Sequence, residues 1–226
     1  MVDILLNIKT IINYTKKDID KGNTPPEIYK ICSCIREAFC LSYAIRKENR
    51  LWLYFQKVNS LIELNGSKLR FLGSDERSQA LLLMKALDLI KFSTLYNWKK
   101  STPGIFVRKF EKNSDFFLYI NSNMSEEIVF IPYQNALDFL SLENNNKMNI
   151  NIVNIRDLKN IEEKLYIISL DAESNDFLNL YTNYKIDNDH ELLEKIKIGN
   201  LINIEGVENK ILYLNYLIDT QLHIKK

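Results

Sequence analysis

The stretch Trp98-Lys-Lys-Ser-Thr-Pro-Gly-Ile-Phe-Val-Arg108 decides how this 226-residue chain is read. Its first half, with two lysines, two hydroxyls and Pro103-Gly104, is a break in regular structure. Its second half opens a β-branched and aromatic run, residues 105–110, that reads as a strand. Upstream, Gly73-Ser74-Asp75-Glu76-Arg77 reads as a helix start. Ser74 is a good N-cap, and two acids occupy the first turn, where the helix dipole favours negative charge. Residues 78–92 continue that helix, with apolar Ala80, Leu81, Met84, Leu87 and Leu89.

The same alternation extends outward in both directions. Residues 2–13 read as a strand and residues 14–26 as a polar loop. Pro25-Pro26 then opens a helix with Ile28, Ile31, Ile35, Ala38 and Phe39 at helical spacing. Residues 51–55 and 60–64 read as strands, and 67–72 as a short one. Beyond the central stretch, strands are expected at 116–120, 128–131, 150–155, 165–170 and 201–204. Helices are expected at 134–142, 189–195 and 209–221, and a turn at 144–147. Strands alternating with helices predict one α/β domain over residues 1–226, with a mostly parallel sheet and flanking helices.

Composition excludes several classes. Apolar residues at 46% and charged residues at 26% fit a globular chain rather than a disordered one. No window approaches the roughly 18 uninterrupted apolar residues of a membrane helix. No basic region precedes the first apolar run, so no secretory signal is expected and the reading is cytoplasmic. Cys32, Cys34 and Cys40 are odd in number and fall in a predicted helix, and the only histidines, His190 and His223, are far away in sequence. Buried reduced thiols are expected, with neither a disulfide framework nor a metal site. No dinucleotide fingerprint, phosphate loop, zinc-protease or serine-hydrolase motif is present, and the chain has six glycines.

Net charge is +1, but it is unevenly spread. Residues 1–113 hold 20 Lys/Arg against 11 Asp/Glu, giving +9; residues 114–226 hold 10 against 18, giving −8. A basic half beside an acidic half suits a polyanion surface on the first, and equally a dipolar surface with no ligand. The segments at 73–77 and 98–108 place arginines and hydroxyls at element ends beside free backbone N–H groups. That chemistry suits phosphate and base contacts on RNA. It also suits a capped helix and a Pro-Gly turn with solvated arginines. Trp98 beside Lys99 and Lys100 reads either as a stacking platform for a base or as a helix-end core residue.

At these residues the chain resembles the archaeal tRNA pseudouridine-54 N1-methyltransferases (TrmY-like) of the SPOUT superfamily. The matching stretches are Cys32-Ser-Cys34 with Ala38-Phe39, Leu41-Ser42 with Ile45-Arg46, and Gly66-Ser67 with Leu69. Asp75-Glu76-Arg77 with Lys85-Ala86-Leu87, then Trp98 with Ser101-Thr-Pro-Gly-Ile-Phe-Val-Arg108, complete the set. The eight-residue string ending at Arg108 is the most specific. Order and spacing agree over residues 27–108; the second half matches in pattern only.

The resemblance implies a SPOUT-type α/β fold with a C-terminal trefoil knot, S-adenosylmethionine in the knot loops, and a homodimer that holds tRNA. Cofactor contacts are then expected from Ile152, Val153, Ser169, Leu201, Asn203 and Ile204. RNA contacts are expected from Arg46, Arg77, Lys99, Lys100, Ser101 and Arg108. Asp75 is the expected proton acceptor, with Arg77 and Arg108 as ligands of the RNA or the transition state. The chain departs from the family in reading Glu27-Ile28-Tyr29 for its Arg-Leu-Asp, Ser169-Leu170-Asp171-Ala172 for its Gly-Asp loop, and in extra length around 111–131. The alternative expectation is a catalytically inactive RNA-binding relative of the same fold.

Overall fold

A computed structural model describes residues 2–124, 127–133, 151–188, 196–201 and 203–224. The helices expected at 134–142 and 189–195 and the turn at 144–147 lie outside these residues. The first strand, β1 (Val2–Ile8), is buried along its whole length, as its near-continuous apolar run requires of a central parallel strand. A short helix α1 (Lys16–Asp20) follows, closed by a reciprocal cap between Thr15 and Asp18. The next helix, α2 (Pro26–Phe39), starts at a proline, where a missing N–H costs nothing. Strands β2 (Asn49–Phe55) and β3 (Ser60–Asn65) form an antiparallel pair.

Helix α3 (Glu76–Ile90) leads to β4 (Lys99–Thr102) and β5 (Ile105–Lys109), which turn at Gly104 with φ 83°. A Cβ at Gly104 would meet the Leu69 backbone N at 2.4 Å, so the turn needs glycine both for its left-handed φ and for the close approach. Then come α4 (Asn113–Asn123), β6 (Ile128–Ile131), β7 (Asn151–Asn154), β8 (Leu165–Ser169), α5 (Asp176–Asn188), β9 (Ile196–Asn200) and α6 (Val207–Ile224).

The described strands form one nine-stranded sheet in the order β4-β5-β3-β2-β1-β8-β6-β9-β7. From β2 to β7 every pairing is parallel, while β3, β5 and β4 extend the sheet antiparallel. Alternate residues separate two cores. Ile4, Leu6, Leu51, Leu53 and Ile62 pack with α2, α3 and α6 on the first face. Leu5, Trp52, Tyr54, Leu61 and Ile167 pack with α4 and α5 on the second. Each such side chain contributes roughly 1.5–3 kcal/mol on burial.

Several expectations are corrected. Residues 116–120 are helical, within α4: Phe116, Phe117 and Ile120 share its buried side. Residues 67–72 form a turn with Phe71 at φ 64°, not a strand. Lys99–Thr102 is an edge strand rather than a break; its polar residues are what an unpaired edge carries. The last strand is Ile196–Asn200, just before the expected 201–204. Asp75, not Ser74, caps α3. The sequence reading has no helix at α5. Cys32 and Cys34 are buried thiols and Cys40 is half-buried. Among the described residues no helix is long and apolar enough to cross a membrane.

Candidate functional site

Strands β1 and β8 are parallel neighbours, with Asn7 opposite Ser169. After β1 the chain passes to helices on the first face; after β8 it passes to α5 on the second, where Phe177, Leu178 and Tyr181 are buried. Loops that leave adjacent parallel strands toward opposite faces open a crevice at the strands' carboxyl ends, the place where open α/β sheets bind ligands. Lys9, just past β1, is ion-paired with Asp176 at the start of α5, across this crevice. The other oxygen of Asp176, Oδ1, is shielded and has no hydrogen-bond partner among the described residues.

Further along the same edge, two lysines fasten the loops that follow β6 and β8. Lys210 of α6 is 3% exposed, and its Nζ donates to the carbonyls of Pro132 and Tyr133, both at 2.8 Å. Burial first, and the nearby Lys30 charge second, push its pKa down to about 8. Lys30 of α2 donates to the Leu170 carbonyl at 2.6 Å and lies 4.5 Å from the centre of the Tyr133 ring.

Of the expected cofactor residues, Ser169 ends β8, and Leu201, Asn203 and Ile204 follow β9 in a loop where the Ile204 N–H bonds to the Leu201 carbonyl at 3.0 Å. These four share the carboxyl edge. Ile152 and Val153 lie within the outermost strand β7, facing Ile198 and Gly199 of β9. The loop bends at Gly206 with φ 81° just before α6. Ser169 is buried at this edge, and Leu201 and Ile204 add apolar surface beside it.

The residues expected to be catalytic are not gathered at this edge. Asp75 and Arg77 begin α3, whose other end reaches the carboxyl side of the sheet. Its 15 residues separate the two ends by ~20 Å at ~1.5 Å rise per residue. The Asp75 carboxylate accepts the Ser78 N–H at 2.8 Å, a bond that holds its pKa below the ordinary carboxylate range. Arg77 pairs with Asp20 of α1 at 2.7 Å, and Arg46 makes a two-bond pair with Asp219 of α6 at 2.8 and 2.7 Å.

Arg108 lies on the second face of the sheet. Its guanidinium stands 4.6 Å from the Tyr119 ring centre, 5.2 Å from Phe110 and 5.7 Å from Trp98, a cation–aromatic cluster. Trp98 is 36% exposed and also touches Trp52, with ring centres 6.2 Å apart. The Nε of Arg108 and the Nε1 of Trp52 are buried with no hydrogen-bond partner among the described residues. Lys100 pairs in register with Phe106 beside the cluster, Ser101 occupies the bulge of β4, and Lys99 donates to the Phe92 carbonyl. The structure thus joins Arg108, Trp98 and Lys100 in one patch and leaves Arg77 and Arg46 on the first face. Lys9, Lys30, Asp176 and Lys210 escaped the sequence reading. Only strand order brings them together, and no local motif signals them.

Fold and site together define an open α/β sheet with a crevice at the carboxyl ends of β1 and β8 and a separate cation–aromatic patch. Comparison with known proteins narrows this class. A family model for SAM-dependent RNA methyltransferases matches residues 15–114. The tRNA (pseudouridine(54)-N(1))-methyltransferase of Methanococcus aeolicus is 32% identical over 54% of this chain and 60% of its own. That of Methanocaldococcus jannaschii is 35% identical over 42% of this chain and 51% of its own, so the chain spans little more than half the length of these two relatives. The Methanococcus maripaludis C5 enzyme of that name is 32% identical over 58% of this chain and 71% of its own. The chain belongs to the tRNA (pseudouridine(54)-N(1))-methyltransferase family.

Proposed function

We propose that this protein is an S-adenosylmethionine-dependent methyltransferase that acts on N1 of a pseudouridine in tRNA. The observation that carries the reading is the convergence of the β1, β8, β6 and β9 loops at one carboxyl edge, in a chain of this family. Ser169, Leu201, Asn203 and Ile204 would hold the cofactor there, with Ile152 and Val153 behind them. When bound, the cofactor supplies the methyl group. The protein's own work is to hold nucleophile and methyl carbon in line and to let the N1 proton leave. Lys30 and Lys210 contribute by fixing the loops after β8 and β6.

RNA contacts are assigned to Arg108, Lys99, Lys100 and Ser101 around Trp98, with Arg77 and Arg46 on the other face. The sheet order, with β8 inserted between β1 and β6 and β9 between β6 and β7, supports the SPOUT-type knotted topology as part of this reading. The outward face of α6, where Leu212 and Tyr216 are exposed one turn apart and Tyr213 stacks on Tyr216, supports a homodimer. The site of action is the cytoplasm, where tRNA is found.

The test is calorimetric titration with S-adenosylmethionine, followed by methyl transfer to pseudouridine-containing tRNA. Micromolar binding and N1 methylation are expected. The Arg108→Ala variant should bind tRNA more weakly and lose about one unit of salt slope. Binding of tRNA without any cofactor binding would replace this reading with that of a non-catalytic RNA-binding relative.

A further inference from the structure

Beside the switch point, on the α3 side of the sheet, the loop after β1 and the C-terminal half of α3 enclose an open cleft of about 870 Å3. Its floor is apolar, made by Ile11, Ile12, Val58, Met84 and Leu87. Its rim is polar, with Asn13, Lys16, Lys91 and Lys109. The two carboxylates of the lining are already engaged. Asp18 accepts the Thr15 N–H at 2.8 Å and the Thr15 hydroxyl at 2.6 Å, and Asp88 is paired with Lys91 at 2.9 Å. Among the described residues Lys16 and Lys109 hold no ion pair. Three lysines, Lys16, Lys91 and Lys109, against two carboxylates, Asp18 and Asp88, leave the rim positive by one charge over an apolar floor.

That combination selects its occupant. A nucleotide is a flat, weakly polar base joined to an anionic phosphate, and its size suits a cleft within the usual ~300–1,000 Å3 of small-molecule sites. Enzymes that modify a base in structured nucleic acid first take that nucleotide out of its stack. The cleft is lined by the loop that leaves β1 at the edge where Ser169 ends the neighbouring β8. A nucleotide seated here would lie one strand from the proposed cofactor loops.

We infer that this cleft receives an unstacked pyrimidine nucleotide of the RNA, with its base on Met84 and Leu87 and its phosphates on Lys16 and Lys109. The identity of the natural ligand rests on the methyltransferase reading; the nucleotide chemistry rests on the cleft itself.

The experiment is titration of the full chain with 5′-UMP, read on the methyl resonances of the protein, with methyl transfer to tRNA measured in parallel. Shifts at Ile11, Ile12, Met84 and Leu87 are expected. Lys16→Ala with Lys109→Ala, at one exposed and one half-buried position, should weaken binding about fivefold or more. Met84→Trp should fill the cleft and abolish nucleotide binding and transfer, while leaving cofactor affinity unchanged. Absence of shifts, or shifts confined to another surface, overturns the inference. So does tRNA methylation at the wild-type rate by Met84→Trp, which leaves the methyltransferase reading intact. Shifts at the cleft without any methyl transfer by the wild type would support the cleft and overturn the methyltransferase reading.

Discussion

At the scale of single residues, Asp75 shows how one side chain can satisfy two descriptions. As a carboxylate near an arginine it suits a proton acceptor. In the structure it closes the first turn of α3, accepting the Ser78 N–H, and this bond favours its ionised form. A carboxylate held below its ordinary pKa is a weaker base, and this one stands a helix length from the edge proposed for the cofactor. The expected consequence is that Asp75→Ala costs about 1 kcal/mol of stability while Asp75→Ser, which can still cap, costs much less. Because the folded-state pKa is depressed, the carboxylate's contribution is complete above the unfolded-state value and disappears as pH falls through the folded one. Urea denaturation of the three proteins at neutral and acidic pH checks this. Methyl transfer abolished in Asp75→Ser at unchanged stability would instead restore Asp75 to the chemistry.

At the scale of elements, α4 separates what a sequence shows from what packing decides. Phe116-Phe-Leu-Tyr-Ile120 has strand-forming residue types, yet it is a helix. Phe116, Phe117 and Ile120 turn to the second face, where Phe116 stacks on Tyr54 with ring centres 3.5 Å apart. Residue preference is overridden because the antiparallel end of the sheet needs a cover over Tyr54, Leu61 and Phe110. Phe116→Ala should therefore destabilise the fold by ~3–5 kcal/mol, measured by chemical denaturation; a loss under ~1 kcal/mol would mean that α4 is dispensable to the core.

The buried strands β1, β2, β6 and β8 are legible because they are largely apolar runs of the kind a sheet interior accommodates. β9 was missed because Lys197 and Gly199 interrupt its pattern, although a Cβ at Gly199 would come within 2.8 Å of the Ile155 side chain. For the site, residue types were legible and their placement was not. Ser169 falls within the strand expected at 165–170, because a short apolar run is a local feature, whereas Leu201 follows its strand instead of opening one. That Arg77 and Arg108 face opposite sides of one sheet depends on strand order, which no spacing in the chain encodes.

At the scale of the whole molecule, the charge division and the sheet order coincide. The basic half supplies β1 to β5, the acidic half β6 to β9, and the ligand edge straddles the seam between β1 and β8. Two ligands of different chemistry should therefore leave separate footprints. A cofactor held by hydroxyl, amide and apolar contacts should slow hydrogen exchange at residues 132–133, 169–171 and 203–206, and do so nearly independently of salt. An RNA held by lysines and arginines should slow it at residues 10–16 and 98–108. That second footprint should fade as salt rises, because counterion release drives phosphate binding and screening weakens exposed charges. Hydrogen exchange read by mass spectrometry, with each ligand alone at low and high salt, distinguishes the two. Cofactor protection confined to residues 98–108, or RNA protection confined to the acidic half, would invert the arrangement of cofactor edge and basic RNA surface proposed for this chain.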